Sequence, residues 1–186
     1  MMNINLYIPS VLTWKEKSLK LRMTTDYPEH GKVVIKLEET SKEPLTINLR
    51  RPVWAAGDVA IRINGSKQKV ESVPGSFISL HRKWKKNDVI ELILPMPLYT
   101  VSMPDNVDRR AVFYGPTILA GTFGTEKRKM GDIPVFVSEE KSLTNYIKKI
   151  SDTSVSFVTT LPGGPDNVKM LPFYKVADEN QTVYWD

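Results

Sequence analysis

The chain contains no cysteine. Disulfide scaffolds, thiolate zinc sites and cysteine nucleophiles are therefore excluded within it. It has two histidines, His30 and His81, too few for a histidine triad or a multi-histidine metal site. No apolar run approaches the roughly 20 residues a helix needs to span a bilayer. The opening M-M-N-I-N-L-Y-I-P-S lacks a basic n-region and a long apolar h-region. It reads as a chain that begins in mid-strand, as an excised domain would, and not as a signal peptide. Glycine is scarcer than proline, 10 residues against 13. Gly163-Gly164 lies between prolines and lacks the Lys-Ser/Thr of a phosphate loop. Asp105, Asp108 and Asp132 are too scattered for a calcium loop, and no G-x-S-x-G elbow occurs.

What is present is an ordinary globular composition: 186 residues, 41% hydrophobic and 25% charged. That length suits one large domain or two small ones. The net charge of +5 is scattered. Its densest cluster, His81 to Lys86, is short, precedes the turn residues Asn87-Asp88, and is not interleaved with several aromatics. Neither nucleic acid nor membrane is expected as a partner.

Period-two alternation dominates the first two-thirds. Ile4, Leu6 and Ile8 alternate with Asn5 and Tyr7. Leu19, Leu21 and Met23 face one way, Lys20, Arg22 and Thr24 the other. Val33 to Leu37 is a further strand. Leu45, Ile47 and Leu49 point inward until Pro52, which has no N–H to give a ladder. Val59 to Ile63 ends at Asn64-Gly65, the strongest short hairpin signal in the chain. Phe77 to His81 is a strand, Lys86-Asn87-Asp88 a turn, and Val89 to Leu94 is apolar enough to be buried on both faces apart from Glu91. Arg110 to Tyr114 and Ile118 to Gly121 flank Gly115-Pro116. Turn signals every ten residues or so, with no βαβ rhythm, predict an all-β fold: an antiparallel β-sandwich, jelly-roll-like. One short helix is expected over 138–150, with a serine cap, acidic first turn and basic last turn. Strands then resume. The expected division is a sandwich over 1–124, and a loop, helix and C-terminal strands over 125–186 that either complete it or form a small β subdomain.

No catalytic constellation emerges. Glu38 and Glu39 are adjacent on a strand and point to opposite faces. Glu139 and Glu140 sit at a predicted helix start, where carboxylates answer the dipole. A glycosidase needs two carboxylates facing each other across its substrate. The four tryptophans, Trp14, Trp54, Trp84 and Trp185, either stack on sugar faces or fill sandwich corners with their N–H groups bonded. Arg50 and Arg51 point to opposite faces, so at most one reaches a given partner. Trp14, Arg50, Trp54 and Trp84 are the candidates for carbohydrate or interdomain contact. No catalytic, cofactor-binding or metal-ligating residue is assigned.

Several segments recur in a recognisable order: N-L-Y-I-P-S (Asn5 to Ser10), Trp14, T-T-D-Y-P (Thr24 to Pro28), N-L-R-R-P-V-W (Asn48 to Trp54), I-R-I-N-G (Ile61 to Gly65), the stretch Pro74 to Met96, Y-G-P-T-I-L-A-G (Tyr114 to Gly121) and P-F-Y-K-V…Y-W (Pro172 to Trp185). The set resembles the C-terminal β-sandwich region of the β-L-arabinofuranosidase-like glycoside hydrolases of family 127, and is weakest over 125–164. The resemblance implies a preceding (α/α) barrel that holds a cysteine nucleophile, zinc-binding cysteines with a glutamate, and a carboxylate acid/base. The cysteine pair lies upstream of the N-L-Y-I-P-S strand, so no catalytic residue transfers to any position here. The implied function is a non-catalytic accessory domain whose partners are the upstream barrel of the same parent chain and a second copy in a homodimer. The alternative is a module that binds plant-type carbohydrate through exposed Trp or Tyr. Compartment is left open: a periplasmic or secreted parent fits, and so does a cytoplasmic one.

Overall fold

Alternation in the first 96 residues becomes two sheets over one core. A computed structural model describes residues 1–126, 143–151, 153–160 and 167–185. Its first compact unit is Met1–Met96 and its second Pro97–Asp186. The first unit holds β1 (Met2–Ile4), β2 (Ser10–Trp14), β3 (Leu19–Thr25), β4 (Lys32–Glu39), β5 (Leu45–Arg50), β6 (Ala60–Ile63), β7 (Ser66–Gln68), β8 (Phe77–Arg82) and β9 (Val89–Ile93). Six strands pair antiparallel in the order β2-β3-β4-β9-β6-β7, and three form the sheet β1-β5-β8. Within the smaller sheet β1 runs parallel to β5, the one departure here from the antiparallel expectation.

The inward residues of both sheets share one cluster. Leu21, Val33, Ile35, Ile61, Ile90 and Leu92 come from the large sheet, and Ile4, Ile47, Leu49, Ile78 and Leu80 from the small one. Fully burying such side chains contributes about 1.5–3 kcal/mol each, which makes this seam the main source of stability. The other face of the large sheet is wet and laced with ion pairs: Lys20 and Arg22 to Glu38 at 3.1 and 2.7 Å, and Lys32 to Glu91 at 3.0 Å. The Arg22 hydrogen bond, then that from Lys20, holds the Glu38 carboxyl below its usual range.

Two strand readings change. Val89 to Leu94 is not buried on both faces: Ile90, Leu92 and Leu94 are buried, while Ile93 is 42% exposed and Glu91 pairs with Lys32. Near the start the facing is reversed. Tyr7 is buried, and Leu6 and Ile8 are 66% and 59% exposed. Strand β1 ends at Ile4, and the Tyr7 ring then turns inward, where its hydroxyl donates to the Arg50 carbonyl at 2.6 Å. Burial, then the Tyr27 neighbour, raises the Tyr7 pKa, while Arg50 opposes that shift.

Among the described residues the second unit is built on one eight-stranded sheet. Its strands are β10 (Leu98–Ser102), β11 (Arg110–Tyr114), β12 (Thr117–Thr122), β13 (Ile147–Lys149), β14 (Phe157–Thr159), β15 (Lys169–Pro172), β16 (Gln181–Thr182) and β17 (Tyr184–Trp185). The main order is β10-β11-β12-β15-β14-β13, with β16 on β12 and β17 on β11. Val112, Leu119, Phe157, Met170 and Trp185 form its own core. The boundary expected at 124/125 thus falls inside this sheet, because β12 takes its partner β15 from beyond it. The expected helix over 138–150 is also corrected. Its first part, 138–142, lies outside the described residues. Leu143–Tyr146 is a single 3-10 turn, and Ile147–Lys149 is a strand paired with Phe157–Thr159. The partner strand supplies Ile147, a β-branched residue, with a ladder that a local helix signal cannot match.

Candidate functional site

The chain leaves β5 through Arg50-Arg51-Pro52, and the two arginines part. Arg51 is 8% exposed. Its Nε and Nη2 donate to the Ala55 carbonyl at 3.1 and 3.0 Å, and Nη2 also to that of Gly57 at 2.7 Å. Its Nη1 donates to the Ser72 carbonyl at 2.6 Å and hydroxyl at 3.1 Å. The planar fork therefore ties two loops, and every donor is used internally. Arg50 is exposed on the opposite face. Its guanidinium makes no hydrogen bond or ion pair among the described residues.

The tryptophans fill corners. Trp84 is 3% exposed, its Nε1–H donates to the Leu45 carbonyl at 2.8 Å, and the Arg82 guanidinium lies 5.3 Å from its ring centre. It cannot serve as a sugar platform, which corrects its place among the candidates. Trp54 is half-buried and stacks on Tyr27 at 6.3 Å, and Tyr27 meets Tyr7 edge-on at 6.0 Å. Trp14, half-buried at the end of β2, packs against the core. No hydrogen bond or ring contact joins any two of Trp14, Arg50, Trp54 and Trp84 among the described residues.

A different set converges on the outward face of the small sheet. Ile47, Leu49, Ile78 and Leu80 point into the core, so Thr46, Asn48 and Arg50 of β5 and Phe77, Ser79 and His81 of β8 point away. Pairing places Asn48 between Asn3 and Ser79, Thr46 beside His81, and Arg50 beside Phe77. Asn48 Nδ2 donates to Asn3 Oδ1 at 2.7 Å, and Thr46 Oγ1 and His81 Nδ1 lie 2.8 Å apart in a hydrogen bond. Asn48 is 8% exposed, and its Oδ1 is buried without a hydrogen-bond partner among the described residues. A groove of about 610 Å³ beside Arg51 reaches Phe77, and a smaller one of about 300 Å³ reaches Ser79 and His81. Alternation alone set Thr46, Asn48 and Arg50 opposite the apolar positions of their strand. It gave no sign that Asn3, 45 positions before Asn48, joins them.

One further stretch of chain exposes apolar side chains, those of Val11 and Leu12 on opposite faces of their strand. Between Leu6 and Leu12 the chain exposes Leu6 (66%), Ile8 (59%), Val11 (46%) and Leu12 (40%). The last two lie on β2, an edge strand of the large sheet. Among the described residues no three His, Asp or Glu side chains gather to hold a metal ion.

A family model described as Beta-L-arabinofuranosidase, GH127 middle domain, matches residues 1–96. No curated protein matches the sequence. Among solved structures, a chain titled glycoside hydrolase superposes with a TM-score of 0.74 at 21% identity, over 98% of this chain and 35% of its own. A GH127 beta-L-arabinofuranosidase from Geobacillus stearothermophilus T6 gives 0.76 at 17% identity, over 99% of this chain and 33% of its own. A GH127 beta-arabinofuranosidase gives 0.70 at 21%, over 98% and 34%. At these identities the likeness is one of fold, and the chain spans about a third of the length of the structures it matches.

Proposed function

Because the chain belongs to the family of the GH127 beta-L-arabinofuranosidase middle domain over residues 1–96, we propose that it is a non-catalytic accessory β-sandwich region that supports the catalytic barrel of a glycoside hydrolase, its oligomer, or both. Residues 97–186 then form the β region that follows the middle domain toward the C-terminus. The parent's substrate would be an arabinofuranoside, and its catalytic residues would lie in the barrel.

One observation carries the reading. Leu6 and Ile8 expose large apolar side chains just before β2, and Val11 and Leu12 expose theirs on the two opposite faces of that edge strand. Large apolar side chains left exposed near a sheet edge fit an interaction surface, and an open edge offers unpaired backbone groups as well.

The test has two parts. The purified chain is assayed on an aryl β-L-arabinofuranoside, where no hydrolysis above the buffer blank is expected and measurable turnover would overturn the reading. The helical part of the parent, produced separately, is then titrated with the chain. Complex formation is expected, and the double variant Leu6→Ser, Ile8→Ser is expected to abolish it at unchanged thermal stability. Full binding by that variant would move the interface elsewhere.

A further inference from the structure

We propose that the outward face of the β1-β5-β8 sheet binds a neutral, hydroxyl-rich ligand, a di- or trisaccharide, with the Phe77 ring as its apolar platform and Asn48 at its centre. This goes beyond the barrel-supporting role and uses a different surface.

The chemistry of the face selects the ligand class. The two outward faces of the first unit are unlike. That of the large sheet carries paired charges, the arrangement of a solvated surface. That of the small sheet carries amides, hydroxyls and an imidazole, with the single cation Arg50 at one end. Amides and hydroxyls both give and accept hydrogen bonds, as sugar hydroxyls require. The exposed Phe77 ring, 43% exposed, offers a flat apolar surface for the C–H side of a sugar ring. The Asn48 amide is already oriented by Asn3, and its buried Oδ1 lacks a donor. A ligand hydroxyl supplies that donor once the exposed side chain of Ser79 turns aside, with the Asn3 bond kept.

Size and charge exclude the main rivals. From Arg50 to Thr46 the face runs about 13 Å, and across its three strands about 10 Å, the footprint of a short oligosaccharide. The grooves at Phe77 and at Ser79–His81 border the same edge strand and would seat its ends. A permanent protein interface is apolar at its centre, whereas this centre is Asn48 and Ser79. A phosphate backbone needs a stripe of cations, whereas among the described residues the face itself carries Arg50 alone, and the Lys69 and Arg82 that line the smaller groove lie at its edge.

The experiment is a titration of the intact chain, followed by amide NMR, with arabinotriose, xylotriose, cellotriose and galactotriose. At least one is expected to shift the amides of Asn3, Asn48, Phe77 and Ser79 saturably, with little dependence on salt. Phe77→Ala should weaken that binding about tenfold or more with an otherwise unchanged spectrum, and Lys36→Ala on the other sheet should leave it unaltered. No response on this face to any of the four, equal binding by Phe77→Ala, or affinity that collapses with salt would overturn the proposal. None of these outcomes touches the hydrolysis and barrel-binding tests of the accessory role.

Discussion

Asn64 and Asp88, 24 positions apart, are joined side chain to side chain: Asn64 Nδ2 donates to Asp88 Oδ1 at 2.8 Å. Asn64 Oδ1 in turn accepts from the Val89 amide at 2.8 Å, and Asp88 Oδ2 accepts from the Lys85 amide at 2.9 Å. The tip of the β6-β7 hairpin is thereby stitched to the turn that launches β9.

Asn64 therefore has two roles that substitution separates. It occupies φ 51° before Gly65 at φ 80°, the left-handed pair of a tight hairpin turn. Asn64→Gly keeps that conformation but loses the stitch, and should cost about 1–3 kcal/mol in urea unfolding. Asn64→Ala loses the stitch and adds left-handed strain, about 1 kcal/mol more. Equal stability of the two variants would show that the conformation carries no weight.

Acid should weaken the same stitch. Burial alone would raise the Asp88 carboxyl, but hydrogen bonds from Asn64 and the Lys85 amide, with the charges of Arg82 and Lys85, outweigh it and hold it low. A depressed folded pKa means stability that is fully present above the unfolded value of about 3.9 and is lost as pH falls through the lower, folded value. Asp88→Asn should be less stable than the parent at pH near 7, with the gap closing toward pH about 2. Urea midpoints across that range decide it.

The two neighbouring arginines should respond oppositely to truncation. Arg51→Met leaves the Ala55, Gly57 and Ser72 carbonyls without their donor and should cost about 2–4 kcal/mol. Arg50→Ala, which removes an exposed side chain, should stay within about 0.5 kcal/mol. Thermal melts of both variants are the measurement.

In the second unit, Gly121 should tolerate no side chain. A Cβ there would lie 2.5 and 2.6 Å from two carbons of the Trp185 ring. Gly121→Ala should destabilise by about 1–3 kcal/mol through overpacking. Adding Trp185→Phe should cost less in that background than in the parent, a coupling that a double-mutant cycle measures.

Legibility followed the range of the forces involved. Leu19, Leu21 and Met23, or Ile47 and Leu49, declared their facing in the sequence because a strand fixes side-chain direction two residues at a time. Asn64-Gly65 declared its turn because few residues accept its backbone. The expected helix failed at Ile147, where pairing with β14 outweighed local capping signals. Tyr7 reversed the facing of Leu6 and Ile8 because its hydroxyl found a carbonyl 43 positions away. Spacing left Trp84 readable as platform or, the favoured reading, as filler, and only the Leu45 carbonyl decides where its N–H points.

By itself the sequence determined an all-β chain without thiol chemistry, with its hairpins, most inward positions and family resemblance in place. Composition and period-two patterning act locally, and they survive in any arrangement of the strands. The tertiary structure alone decided that the units divide after Met96, that Arg51 is an internal clamp while Arg50 is free, and that Asn3, Asn48 and Ser79 share one row. Each depends on which strands lie side by side, and that is set by contacts between residues far apart in the chain.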